Sequence, residues 1–267
     1  MRALIQKVRN DLAGRELEHF KDLIVVLTKK EISVRYKNNY LGYAWSVANP
    51  LAFGLIYFIA FKVFMRVAIP NYTVFLLAGL FPWQWMANSI GSSPSIFVGN
   101  AGLLKKVQFP RNVLVAATVL NDAAHFLVAL PVLALFLLAY RIHPSWSWLI
   151  GIPALALAQF AMIYGVALGI ASVNVFFRDL ERITALLLSF LFFLTPIAYS
   201  RDMVPSKFQV FLYLNPAAPV ILGWRQLFLM GELHWDLIGV AFGYGLVSLF
   251  LGMSVYRKLS GKFAEVV

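Results

Sequence analysis

Long apolar runs alternate with short polar breaks along most of the chain. A helix needs about 20 mostly apolar residues to cross the hydrocarbon of a bilayer. The pattern predicts six such spans, at roughly 51–68, 72–91, 113–139, 148–176, 183–199 and 237–256. A membrane β-barrel would alternate inward and outward over segments of about ten residues, and these runs are too long and too continuously apolar for that. Pro70, Pro110, Pro144 and Pro153 fall near predicted ends, where proline is tolerated. Pro82 and Pro131 fall inside spans and are expected to kink or interrupt them. The expected class is an all-α polytopic membrane protein.

Ahead of the first span, residues 1–50 are polar and basic. Phe20, Leu23, Ile24 and Leu27 recur at helical spacing among Lys21, Asp22, Lys29 and Lys30, which predicts an amphipathic helix. Such a helix lies flat on the membrane surface or packs on a partner protein. Next, Arg35 and Lys37 stand beside Tyr36, Tyr40, Tyr43 and Trp45, rings with polar tips that suit the headgroup level. The chain thus divides into a cytosolic and interfacial segment, 1–50, and a single six-span domain, 51–267.

Residues 200–235 differ from the other connections. Two apolar stretches, each too short to span, flank the breaker "NPAAP" at 215–219. Stretches of this length read as re-entrant or interfacial helices. The expectation is a re-entrant helical hairpin in the outer half of the membrane, against the alternative of a lid on the outer surface.

Composition agrees with the pattern. Hydrophobic residues make up 61% and charged ones 13%, whereas soluble domains run about 45–50% and about 25%. The net charge of +11 is explained by basic residues flanking spans on the cytosolic side, and nucleic acid is not an expected partner. Residues 1–50 carry nine Lys and Arg, whereas the expected outer segments 140–147 and 200–235 carry one and three. Both termini are expected in the cytosol.

The chain has no Cys, which excludes disulfides and thiol chemistry. No cleaved leader is expected from the first fifty residues. No nucleotide-binding G-x-x-x-x-G-K-[ST] occurs, and "GNAGLLKK" from Gly99 has the wrong spacing and no hydroxyl for Mg²⁺. HExxH, GxSxG and paired Asp are absent, and the four His are scattered, so neither a metal site nor a hydrolase is expected. This chain is not expected to be an enzyme on its own.

Four groups of residues carry the remaining chemistry. Arg178, Asp179, Glu181 and Arg182 form a charged knot in a short cytosolic turn between spans four and five, with Arg178 and Glu181 spaced to pair on a helix. Asp122 and His125, after Asn121, lie at membrane depth, as a proton relay or as a polar fastener between spans. Lys62 and Arg66 suit snorkelling toward the outer interface, or the lining of a hydrophilic path. The aromatics of "FPWQW", with Phe81, Trp83 and Trp85, and of "LLSFLFF", 187–193, pack against lipid and protein or line a conduit, where ring faces favour sugar.

In order along the chain come "LTKKEISVRYKNNYLGYAWSVANPL", "LFPWQW", "KKVQFPRNV", "NVFFRDLERI", "FLTPIAYS" and "YLNPAAPVI". In these motifs the chain resembles the permease subunits of ABC-2 type polysaccharide exporters, in particular those for lipopolysaccharide O-antigen, with relatives that export capsule and teichoic acid. The resemblance implies a homodimer of six-span subunits in the bacterial inner membrane, enclosing a channel for a lipid-linked polysaccharide. It implies two copies of a separate cytosolic ATPase, which would hold ATP and Mg²⁺, and no cofactor in this chain. It assigns ATPase coupling to Lys29, Lys30, Glu31, Arg35, Tyr36, Arg178, Asp179, Glu181 and Arg182. It assigns a cytosolic gate near the lipid pyrophosphate to Lys105, Lys106 and Arg111, and an outer gate to Asn215, Pro216 and Pro219. A proton-coupled secondary transporter or flippase built on Asp122 and His125 is the alternative reading.

Overall fold

A computed structural model describes residues 45–106 and 109–263, with 26 and 28. The amphipathic stretch at 20–27 and the coupling residues Lys29, Lys30, Glu31, Arg35 and Tyr36 lie outside the described residues. Among those described, every regular element is helical.

Helix α1, Trp45–Tyr57, runs on through a π-helical segment, Phe58–Phe64. It stops short of the expected end at 68, because Arg66 takes a left-handed φ of 53°. Lys62 reaches toward the end of its helix. Its Nζ donates to the carbonyls of Val67 (3.3 Å) and Ile69 (3.4 Å), holding the chain that leaves the helix.

Then follow α2 (Tyr72–Ser92), the short α3 (Ser95–Gly99) and α4 (Ala101–Lys106), α5 (Asn112–Ala139), α6 (Ser147–Asn174) and α7 (Leu180–Leu194). After single 3-10 turns at Arg201–Met203 and Ser206–Phe208 come α8 (Val210–Leu214), α9 (Ala217–Met230) and α10 (Trp235–Leu259), which continues as a 3-10 turn, Ser260–Lys262.

Among the described residues, three helices are long and apolar enough to cross a membrane: α5, α6 and α10 with its terminal turn, each 28 residues. At 1.5 Å per residue each is about 42 Å long, against about 30 Å of hydrocarbon. Shorter apolar helices lie at Leu51–Phe64 and Ala217–Met230. The expected spans at 72–91 and 183–199 fall on α2, which carries Gln84, Asn88 and several hydroxyls, and on α7, which has only 15 residues.

The prolines inside spans do not interrupt them: α2 runs unbroken through Pro82 and α5 through Pro131, and Pro153 lies near the start of α6. A proline removes one N–H from the ladder, and a neighbouring helix can repair the local polarity. Gln159 of α6 does so at Pro82, donating from Nε2 to its carbonyl at 2.8 Å. Pro196, by contrast, does end a helix: it pushes Thr195 into extended backbone (φ −95°, ψ 135°), so α7 stops at Leu194 rather than near 199.

The core gathers around α2, which packs against α1, α5, α6, α7 and α9 and buries residues on every side. Because protein rather than lipid surrounds it, it tolerates polar groups that a lipid-facing helix would not. Trp85 stacks on Phe126 (5.4 Å between ring centres), and Phe126 meets Trp224 edge-on at 5.1 Å. The closest helix pair is α6 with α10. A Cβ on Gly165 would strike the backbone of Ser248 and Leu249, and one on Gly245 would lie 3.1 Å from the Ala158 carbonyl oxygen. Small residues let two backbones meet in this way, and the G-x-x-x-G at Gly165 and Gly169 is its sequence sign.

The connections gather at two ends. At one end Tyr72 Oη donates to the Ala198 carbonyl (2.9 Å), Tyr140 Oη to Thr73 Oγ1 (3.2 Å) and Ser147 Oγ to the Gly231 carbonyl (2.7 Å). At the other, Asn174 Nδ2 donates to the Pro94 carbonyl (2.8 Å) and Arg111 to the Ser260 carbonyl (2.8 Å), while Phe263 is buried against Phe97.

Candidate functional site

The charged knot stands at the second of these ends. The turn 175–179 joins α6 to α7, and Arg178, Asp179, Glu181 and Arg182 are all exposed. Arg178 and Glu181 form no ion pair, although they lie one turn apart, with the Glu181 N–H on the Arg178 carbonyl (3.4 Å). Glu181 sits in the first turn of α7, where a negative charge complements the helix dipole. The result is four unneutralised charges beside the exposed rings of Phe176 and Phe177.

From this turn α7 runs along the protomer with little holding it. Only Thr184 and Phe192 are buried. Ile183, Leu186, Leu187, Phe190, Phe193 and Leu194 are exposed. Between α7, α1 and α2 lies a cleft of about 300 Å³. Phe192 is its hub: its ring stacks on Tyr57 at 4.9 Å, meets Trp83 edge-on at 5.6 Å and meets Phe193 at 5.2 Å. Gln84, Asn88 and Ser189 add polar groups to the same wall. The amides of Gln84 and Asn88 make no hydrogen bond among the described residues, so they are free to meet a ligand. Of the three aromatics singled out from sequence, Trp83 borders the cleft. Phe81 is buried in the core, and Trp85 donates from Nε1 to the Val119 carbonyl at 3.2 Å. Phe192, from the aromatic stretch 187–193, borders the cleft too, whereas Tyr57 and Asn88 were not singled out, because nothing local distinguishes a side chain facing a cleft from one facing protein.

The polar residues at membrane depth mostly fasten helices. Ser89 Oγ donates to Asp122 Oδ2 at 2.8 Å, and both are buried, which ties α2 to α5. His125, half-buried, lies one turn along α5. Gln159 is fully buried and bridges two partners, Pro82 and the Trp224 indole, whose Nε1 donates to Oε1 at 2.7 Å.

Of the basic residues near 105–111, Lys105 is exposed, and Arg111 is committed. Arg111 Nη1 holds the Ser260 carbonyl, and its guanidinium lies 5.7 Å from the centre of the Phe263 ring. The side chain of Lys106 lies outside the described residues.

At the opposite end, Asn215 breaks α8 from α9 in extended backbone (φ −84°, ψ 112°), as the residue before Pro216 must. It is buried. Its Nδ2 donates to Thr195 Oγ1 (2.9 Å) and the Leu194 carbonyl (3.3 Å), and its Oδ1 accepts from the Ala217 N–H (3.0 Å). Pro216 and Pro219 sit at the start of α9, where the missing N–H costs nothing. Gly231 ends α9 with a φ of 68°, a conformation few other residues adopt readily. Trp148 Nε1 donates to the Leu227 carbonyl there (2.9 Å).

The model of the ABC-2 type transporter family matches residues 22–229. An O-antigen export system permease protein, RfbA, of Klebsiella pneumoniae is 46% identical over 251 residues, covering 94% of this chain and 97% of that protein. One of Myxococcus xanthus is 31% identical, covering 95% and 98%. The polysialic acid transport protein KpsM of Escherichia coli is 26% identical, covering 92% and 96%. With a family match over most of its length, and relatives matched from end to end, this chain belongs to the ABC-2 type transporter family.

Proposed function

We propose that this chain is the membrane-embedded permease of an ATP-driven exporter that carries a lipid-linked polysaccharide, of O-antigen type, from the cytosolic to the outer side of a bacterial inner membrane. The observation that carries the reading is the near full-length match to O-antigen export permeases. The cleft agrees with it, since ring faces and unbonded amides side by side are what a sugar, with apolar C–H faces and hydroxyl edges, recognises.

In this reading α1, α2, α5, α6, α7 and α10 are six spans, and α8 with α9 is a re-entrant hairpin that serves as the outer gate. The end with Lys105, Arg111, Arg178, Arg182 and Arg257 faces the cytosol. Eight Lys and Arg gather there, against five at the other end besides the buried Arg225, and positive charge favours the cytosolic side. Two copies of the chain enclose the path, and each meets one ATPase subunit, which holds ATP and Mg²⁺. The charged turn at 178–182 receives the stroke. Lys105 and Lys106 attract the diphosphate that links glycan to lipid, with Arg111 fixing the chain around them.

Co-purification tests this. The chain is expected to bring down an ATPase whose turnover rises when lipid-linked glycan is added. Glycan transport by this chain alone, without nucleotide, would replace the reading with a secondary carrier.

A further inference from the structure

The backbone just beyond α7 is irregular and buried. Thr195, Pro196, Ile197 and Ala198 are all inaccessible, although no helix or sheet satisfies their carbonyls. The Ile197 N–H takes the Thr195 carbonyl (2.7 Å), and side chains from elsewhere take the others. Arg225 of α9 donates from Nη1 to the Pro196 carbonyl (2.7 Å) and from Nη2 to the Ile197 carbonyl (2.8 Å). Tyr72 of α2 takes the Ala198 carbonyl (2.9 Å), and Asn215 takes the Leu194 carbonyl and the Thr195 hydroxyl. Five consecutive residues are thus held by three side chains from three separate elements.

Arg225 is the least replaceable of the three. It is buried, makes no ion pair among the described residues, and lies 3.6 Å from the centre of the Phe75 ring. Two carbonyl dipoles and a ring face take the place of a carboxylate. A planar fork of donors can hold two carbonyls at once, which an ammonium cannot. Gly79 makes room for it, since a Cβ there would lie 2.7 Å from Nη2. α9 itself is anchored in the core, between α2, α6 and α10, with Trp224 and Phe228 buried.

The rest of α7 contrasts with this end, being exposed along most of its length. We infer that Arg225, with Tyr72 and Asn215, pins the far end of α7 to the protomer core as a fixed pivot, so that force applied at the charged turn 178–182 swings the helix and changes the cleft instead of pulling its far end loose. This rests on the export reading for the source of the force, and the pin itself does not depend on it. Arg225 is a positioning residue, because it acts through α7 and touches no substrate.

The absence of Cys allows paired spin labels without a background. One pair, at Leu194 and Val240, reports the pinned end, and another, at Ile183 and Leu251, reports the opposite end; all four sites are exposed. In nanodiscs without ATPase, the pinned pair is expected to give one narrow distance and the other pair a broader one. Arg225→Lys is expected to broaden the pinned pair alone, and Tyr72→Phe to do so less. Losing one charge-assisted hydrogen bond changes the ratio of pinned to released forms about tenfold. With the ATPase cycling, only the Ile183–Leu251 distance is expected to shift. In the Arg225→Lys complex, ATP turnover is expected to persist while export per ATP falls about tenfold, by the same ratio. The pin is overturned if the Leu194–Val240 distance is as broad as the other in the parent protein, or if neither substitution widens it. Undiminished export per ATP with a widened distance would remove its role in the stroke. A chain that recruits no ATPase yet keeps a narrow, Arg225-dependent distance would remove the export reading and leave the pin standing.

Discussion

Gly252 rests its backbone directly on the carbonyl of Gly165, so closely that a Cβ at Gly252 would overlap that oxygen. Nothing flexible lies between α6 and α10 here to move aside. Gly252→Ala is therefore expected to force two of the three long apolar helices apart, at a cost of about 1–3 kcal/mol. Gly243, on the same helix but facing open space, is the control: alanine there gains up to about 1 kcal/mol of helix propensity. Melting temperatures in detergent should fall for the first and hold or rise for the second. Equal values would mean that the helix contact is looser than it is drawn.

Gln159 joins α6 to two other helices through its one amide. Gln159→Leu leaves the indole N–H of Trp224 buried without an acceptor, at a cost of about 1–3 kcal/mol. Trp224→Phe alone removes the donor but keeps most of the ring. The pair of substitutions is expected to cost less than the sum of the two, and simple additivity in the unfolding free energies would argue against the bridge.

Arg178 and Glu181 do not pair with each other, and both are exposed. Arg178→Glu and Glu181→Arg are each expected to leave the melting temperature unchanged while lowering ATP-driven export, because in the proposed reading the charges face the ATPase. Swapping both should not restore transport. Rescue by the double swap would show that the two residues bond to each other after all.

Leu214 is exposed and Asn215, next to it, is buried. A cysteine at Leu214 is expected to react with a membrane-impermeant maleimide added outside cells, at a rate that depends on nucleotide turnover. Cysteine at Asn215 should react slowly and lower stability, since it removes the bonds to Leu194, Thr195 and Ala217. A nucleotide-blind rate at Leu214 counts against a gate at this hairpin.

The helix positions were largely legible in the sequence, because the rule behind them is local. A backbone in hydrocarbon must satisfy itself within its own segment, so apolar runs had to be helices wherever they fell. The misjudged boundaries came from the same locality. Whether a proline breaks a helix depends on what stands next to it: Gln159 covers Pro82, whereas Pro196 is followed by a turn that other elements hold. The charged turn was visible because charge between apolar runs is conspicuous, and its lack of an internal pair was not, because spacing says which side chains can meet and not whether they do.

By itself the sequence determined that this is a helical membrane protein, where most of its helices run, and where its unusual charges and breakers lie, since each of these follows from a segment's own solvation. Tertiary structure decided that α2 is the buried centre, that Gly165 and Gly252 touch, that Tyr57, Trp83, Gln84, Asn88 and Phe192 share a cleft, and that Arg225 reaches the turn after α7. Those relationships join residues up to 130 or so positions apart, and no local pattern records which donor across the fold will meet a given carbonyl.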